Sequence, residues 1–249
     1  MLDVDDKVPF TAHLEELRHR LIVCFIAVGI GFAACYVFKE RLFEFLAAPL
    51  IDAMQAGDKL VFTGLPEAFF TYLKIAFLAG CVLASPVIIY QFWMFVAPGL
   101  YRQERRVLAP IVGLSILFFI GGGVFGYLVV FPLGFQFFLG FATETIRPLP
   151  AMKEYLGFAT KLLIAFGLAF ELPLVITFMA RLGLVSVAFL KKNRRYAILL
   201  FFVAAAILTP PDVVSQILMA VPLMLLYELS IVGARIFGRK PPDDPDPAR

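Results

Sequence analysis

The stretch Val107 to Phe131 carries no charged side chain, and an apolar run of that length has few places to go. About 20 apolar residues in a helix cross the roughly 30 Å hydrocarbon core of a bilayer. Five further runs approach or reach that length: Leu21 to Phe38, Phe69 to Val96, Gly157 to Ala180, Tyr196 to Leu208 and Val213 to Ile236. Composition points the same way. The 249 residues are 61% hydrophobic and 16% charged, with a mean hydropathy of +0.89, whereas soluble domains hold about 45–50% apolar and about 25% charged residues. Lipid offers no partner to open backbone groups, so the spans are read as helices. No alternating ten-residue segments favour a barrel. The expectation is an all-α integral membrane protein: one six-span domain over residues 1–238, then a Pro- and Asp-rich tail, 239–249, expected to be disordered.

Basic residues orient the spans. Most of the 22 Lys and Arg fall on one side if the N-terminus, the 97–106 loop, the 181–195 loop and the tail share it. That side is then cytoplasmic, and both termini lie on it. The opposite loops, 39–68 and 132–156, are long and proline-bearing. Within the first, "RLFEFLAAPL" is amphipathic and predicts a short helix. The fifth run is short for a bilayer and is closed by "TPPD", so it must thin the membrane or sit behind protein.

Several function classes fall away. A net charge of +3, spread in small groups, does not suggest nucleic acid. Cys24, Cys35 and Cys81 lie in apolar runs without CxxC spacing and read as small apolar residues. His13 and His19 are six apart on a helix and point to different faces, so no metal site is expected. No nucleophile–base or phosphate-binding motif is present, and neither an enzyme nor a cofactor is expected.

Four features remain. "FTAHLEELRHRL" reads as an amphipathic helix at the cytoplasmic interface running into the first span. "FVAPGLYRQERR" holds one acid, Glu104, among three arginines. Glu104 either makes a local surface ion pair of little energy, or, with Glu16, offers a carboxylate to an incoming guanidinium through paired hydrogen bonds. Gly122 and Gly126 form a GxxxG match, readable as a close helix crossing or as ordinary glycine tolerance. In "AFGLAFELPLVITFMA", Glu171 stands alone in an apolar run two residues before Pro173. An ionisable group at that depth faces a cavity or the bundle interior. It lines a polar zone, bonds a partner helix, or bonds within the subunit.

"FTAHLEELRHRL", "FVAPGLYRQERR", "AFELPL" and "ILTPPDVVSQ", in that order across six spans, resemble the TatC family, the multispanning core of the twin-arginine protein translocase. The resemblance covers roughly residues 8 to 238. It implies a concave, glove-like six-helix fold in a bacterial-type inner membrane. It implies recognition of twin-arginine signal peptides, export of folded cargo driven by the proton-motive force, single-span TatA- and TatB-like partners, and assembly with further copies of the chain. Carried over by position, the implied signal-peptide site is Glu16, Arg18, Phe95, Leu100, Tyr101, Glu104 and Arg105. The implied intramembrane acid is Glu171. The implied partner-contacting patch is Thr209 and Gln216, with Ala206, a smaller residue than the family pattern suggests. Pro49 and Asp212 match positions in the outer loops. The competing reading is a proton- or ion-coupled transporter of small solutes, with Glu171 as its coupling site.

Overall fold

The computed structural model describes residues 10–55, 58–96, 108–143, 147–210 and 212–238. Its regular elements are helical: α1 (Phe10–Val37), α2 (Lys39–Ala53), α3 (Glu67–Val96), α4 (Leu108–Phe125), a π-turn (Gly126–Val130), α5 (Phe131–Leu139), α6 (Met152–Phe170), α7 (Leu172–Arg181), α8 (Val187–Lys192), α9 (Arg194–Leu208) and α10 (Val213–Phe237). Among the described residues, the extended pairing is a single parallel bridge between Val61 and Ala151. The amphipathic segment after the first span is the helix expected there, α2. The tail beyond Gly238 lies outside the described residues.

Among the described residues, five stretches are long and apolar enough to cross a membrane: His13–Val37, Glu67–Val96, Ala109–Leu139, Met152–Arg181 and Val213–Phe237. Their outward faces carry large apolar side chains, such as Phe25 at 73% exposure and Ile30 at 68%. Lipid accommodates such faces at no hydrophobic cost. The fifth apolar run is α9, whose 15 residues extend about 22 Å, short of a bilayer core.

Two spans differ from the apolar runs that announce them. The third continues past Phe131 to Leu139, and the outer loop shortens accordingly. Pro132 should end or kink a helix, because it lacks an N–H and its ring presses on the carbonyl four residues back. Here the preceding turn widens instead: the Phe131 N–H reaches back five residues to the Gly126 carbonyl. The fourth starts earlier, at Met152, and breaks at Glu171, where Pro173 withholds the next helical donor. The Glu171 N–H tightens onto the Leu168 carbonyl at 3.1 Å, and α7 begins at Leu172.

The chain divides into two compact units, Met1–Glu44 with Phe69–Ile116, and Phe45–Ala68 with Leu117–Arg249. In the first, α1 and α3 touch backbone to backbone. A Cβ on Gly31 would lie 2.6 Å from the Gly80 carbonyl oxygen, and one on Gly80 would lie 2.5 Å from the Phe32 nitrogen. Small residues permit such approach in membranes, where packing rather than water drives association. The Trp93 indole closes this unit, buried and donating to Ser115 Oγ at 3.0 Å.

In the second unit, α4 crosses α6 at Gly122, where a Cβ would strike the Phe166 carbonyl and lie 3.0 Å from Gly167 Cα. Gly126 has ordinary room beside the Phe166 ring. The GxxxG match is therefore a close crossing at its first glycine only. Phe131, Phe135, Tyr155 and Phe158 form an aromatic core with ring centroids 5.4–6.0 Å apart. α10 packs on α7, α8 and α9, with Gly233 against Thr177 of α7 and the Tyr227 hydroxyl donating to the Leu190 carbonyl of α8 at 3.0 Å.

Gly80→Ala should lower the unfolding free energy of the detergent-solubilised protein by about 1–3 kcal/mol, the usual cost of overpacking. Gly29→Ala, where a Cβ meets nothing within 4 Å, should leave it unlowered or raise it by up to about 1 kcal/mol, the helix-propensity gain of alanine over glycine. Denaturant titration of both variants checks this.

Candidate functional site

The site at one end of the first unit is built on α1. Glu16, Arg20 and His13 are four and three residues apart and share one helix face. Arg20 donates to Glu16 Oε1 from both Nε (3.0 Å) and Nη2 (2.5 Å), and from Nη1 to Gln91 Oε1 on α3 (2.9 Å). His13 Nδ1 lies 3.7 Å from Glu16 Oε2. The His13 ring stacks on Phe95, centroids 4.3 Å apart and planes 15° apart. Glu15, Glu16, His19, Arg20, Tyr90 and Gln91 line an open recess beside this cluster. The arrangement presents a half-buried carboxylate next to an aromatic face, suited to a cationic group followed by an apolar segment.

The structure thus joins Glu16 to Phe95 through His13. Arg18 is exposed on α1 and outside the cluster. Leu100, Tyr101, Glu104 and Arg105 lie outside the described residues. Sequence reasoning missed Arg20, His13 and Gln91 as members of the site. The first two carried a signal, their helical spacing from Glu16; Gln91, 71 positions from Arg20, carried none.

The remaining candidates lie in the second unit. Glu171 occupies the break between α6 and α7, half-buried, with its Oε1 buried. Ala206 is exposed on α9 and Gln216 is half-buried on α10. Thr209 is buried, and its hydroxyl donates to the Ala205 carbonyl at 2.9 Å. Asp212 caps α10: Oδ1 accepts the Ser215 N–H at 2.7 Å, and Oδ2 accepts the Ser215 hydroxyl.

Pro49 has a distinct consequence. It withholds the N–H that would serve the Phe45 carbonyl, and the Tyr127 hydroxyl donates to that oxygen at 2.6 Å. The Tyr155 hydroxyl donates to the neighbouring Leu46 carbonyl. Pro49 thereby docks α2 onto the π-turn, and the Leu46 carbonyl adds a bond to α6. A second knot holds the loops nearby. Val61 bonds both neighbours of Ala151 across the bridge, its N–H donating to the Pro150 carbonyl (3.1 Å) and its carbonyl accepting the Met152 N–H (2.9 Å). Glu67 then gathers donors from both segments: Thr63 N–H (2.8 Å), Thr63 Oγ1 (3.0 Å) and Gly64 N–H (3.2 Å) at Oε2, and Lys153 N–H (3.1 Å) at Oε1. Nothing in the sequence singled out Glu67, because its partners come from the first turn of α6, 86 positions away, as well as its own turn.

The comparisons with known proteins decide the family. The model of the Sec-independent protein translocase protein (TatC) matches residues 12–222. The chain belongs to the TatC family. It is 66% identical to the Sec-independent protein translocase protein TatC of Desulforapulum autotrophicum, over 98% of this chain and 90% of that one. It is 39% identical to the TatC of Escherichia coli K12, over 95% and 92%. A solved structure described as the twin arginine translocase receptor TatC superposes with a TM-score of 0.82 at 40% identity, covering 90% of this chain and 99% of that one. A second, described as that receptor in DDM, gives 0.80 at 40% identity, covering 88% and 98%. The helical, multi-pass character read from composition is thus that of a translocase family.

Pro49 and Tyr127 yield a double-mutant cycle. Tyr127→Phe should cost about 0.5–1.5 kcal/mol of unfolding free energy, the net value of one hydrogen bond. In a Pro49→Ala background, the new alanine supplies its own N–H to the Phe45 carbonyl, and the same substitution should cost markedly less. Equal costs in both backgrounds would contradict the compensation.

Proposed function

We propose that this chain is the twin-arginine signal-peptide receptor and scaffold of a translocase that exports folded proteins across a bacterial-type cytoplasmic membrane, without catalytic chemistry of its own. The observation that carries the reading is the match along nearly the whole chain, at 40% identity, to structures described as the twin arginine translocase receptor. The cluster around Glu16 suits the role: a carboxylate already engaged with one guanidinium can engage another.

In this reading α9 is a sixth, short span, both termini lie in the cytoplasm, and residues 239–249 form a cytoplasmic tail. The bias of Lys and Arg toward those loops supports the orientation. Glu16 and Glu104 receive the two arginines of the signal. Arg18 and Arg105 border them, and Phe95, Leu100 and Tyr101 contact the apolar segment that follows. Glu171, at the broken span, offers a polar group to the membrane interior. Ala206, Thr209 and Gln216, at the α9–α10 turn, meet single-span TatA- and TatB-like proteins. Several copies assemble with these partners, and the proton-motive force drives transport.

Glu104→Lys, which sets a cation where an arginine should dock, should reduce export of a folded reporter bearing an Arg-Arg signal by roughly tenfold or more, the scale expected when a desolvated charge pair loses one partner. Export at the wild-type rate with unaltered signal binding would contradict the docking role.

A further inference from the structure

The stretch from Leu172 to Leu208 holds five cations, Arg181, Lys191, Lys192, Arg194 and Arg195, and no acid. All five are exposed. Among the described residues, one ion pair serves them, from Arg194 Nη2 to Glu228 Oε2 of α10 at 2.7 Å. Arg195 lies 4.8 Å over the neighbouring Tyr196 ring and donates to its hydroxyl at 3.0 Å, contacts that leave its charge unneutralised. Large apolar side chains stand beside these cations: Leu184 is 68% exposed and Phe189 58%. On α8, Phe189 and Lys192 are three residues apart and share a face, while Leu190 is buried. α8 is also held at a definite level. The Tyr227 hydroxyl grips the Leu190 carbonyl at 3.0 Å, and Glu228 holds Arg194. Tyr227 stands ten residues before the end of α10 at Phe237, about 15 Å along the helix. Past that level α10 still exposes Leu229, Val232 and Ile236. The cations are therefore pinned beside an apolar span rather than carried clear of the membrane on a loop.

We propose that α8 and the start of α9 form a binding site for anionic phospholipids, with Lys191, Lys192 and Arg195 on the phosphate and Leu184 and Phe189 among the acyl chains. A cation at membrane depth is costly, and the cost is relieved by snorkelling to a headgroup or by water drawn down to it. An anionic headgroup supplies the counter-charge that this stretch of chain lacks. Clusters of about four Lys and Arg at the end of a span recognise anionic lipid in this way, each cation contributing about a fivefold gain near the surface. The apolar neighbours choose the source of the phosphate. A free anion would satisfy the cations and leave Leu184 and Phe189 in water, whereas a lipid satisfies both. Arg194 is set apart by its pairing with Glu228 and serves to seat α9 on α10. The short α9, with 15 residues, fits the same picture, because headgroups drawn toward its first turn shorten the distance it must span. This lipid chemistry does not depend on the receptor role proposed above.

The test places a tryptophan reporter on α8. The full chain carrying Phe189→Trp is reconstituted in phosphatidylcholine vesicles containing increasing fractions of dibrominated phosphatidylglycerol or, separately, of dibrominated phosphatidylcholine. Quenching is read after subtracting the wild-type chain, whose one tryptophan is Trp93, and gives the relative binding constant of the two lipids at the reporter. Phosphatidylglycerol should be preferred by about fivefold or more. Lys191→Gln, Lys192→Gln and Arg195→Gln together should bring the preference close to one. Lys191→Arg, Lys192→Arg and Arg195→Lys, which retain every charge, should keep it. So should glutamine at Lys59, Arg147 and Lys153, three exposed cations in other parts of the same unit. A reporter that neither brominated lipid quenches would put α8 outside the bilayer, as docking to an acidic protein requires, and overturns the proposal. A preference of one in the reporter chain, or a preference that survives the triple glutamine substitution, overturns it too. Loss of the preference on adding inorganic phosphate at fixed ionic strength would mark a free-anion site and overturn it as well.

Discussion

The interaction on which this structure depends is the hydrogen bond of the backbone carbonyl. In hydrocarbon an unserved carbonyl has no water to turn to, and leaving one buried costs several kcal/mol. The chain nevertheless places prolines inside or beside its apolar helices, each of which withholds a donor. The repairs are local and varied. Behind Pro86, the Ser85 hydroxyl donates to the Val82 carbonyl at 2.7 Å, the oxygen that the missing N–H would have served. Behind Pro49, Tyr127 does the same from another helix. Before Pro132 the helix widens by one residue. At Pro173 the helix is interrupted, and the interruption carries Glu171.

These repairs are also how the chain positions its functional groups. The break at Glu171 follows from Pro173, so an ionisable side chain and irregular backbone share one depth. Such backbone persists in membranes where protein or a wetted cavity attends to it. The Pro49 repair clamps α2 to the π-turn, the Tyr155 hydroxyl ties α2 to α6, and the four-donor cradle of Glu67 ties the adjoining loop to the start of α6. In the other unit, the glycine crossing of α1 and α3 brings their backbones together. Further along the same two helices, Gln91 meets Arg20 and Phe95 meets His13.

The all-helical membrane character was legible in the sequence because length and hydropathy set it. The π-turn was not, because Pro132 reads as a stop and only the neighbouring turn reveals the bypass. Of the site, Glu16 stood out as a carboxylate on an amphipathic helix that, with Glu104, could receive a guanidinium, and Phe95 came by resemblance. Arg20 and His13 were visible by spacing, but Arg20 read as part of the polar face of an anchor and His13 as a metal ligand to be set aside. Gln91 and Glu67 were invisible, since a neutral amide and a lone acid acquire meaning only from partners distant in the chain. Gly31 and Gly80 gave no local motif, for a crossing between two helices needs one glycine on each. Asp212, which matches an outer acid of the family, serves here as a helix cap, a role its spacing to Ser215 allows one to read.

The central claim is that the end of the first unit bearing Glu16, His13 and Phe95 receives the arginine pair of a signal peptide. Photocrosslinking tests it most directly, with a photoreactive side chain at position 95 or 104 of the membrane-embedded complex and a radiolabelled Arg-Arg signal peptide. The account expects crosslinks at both positions, abolished by excess unlabelled Arg-Arg peptide and not by its Lys-Lys counterpart. Failure to crosslink at either position, together with efficient crosslinking from a probe in the 58–66 loop, would contradict it.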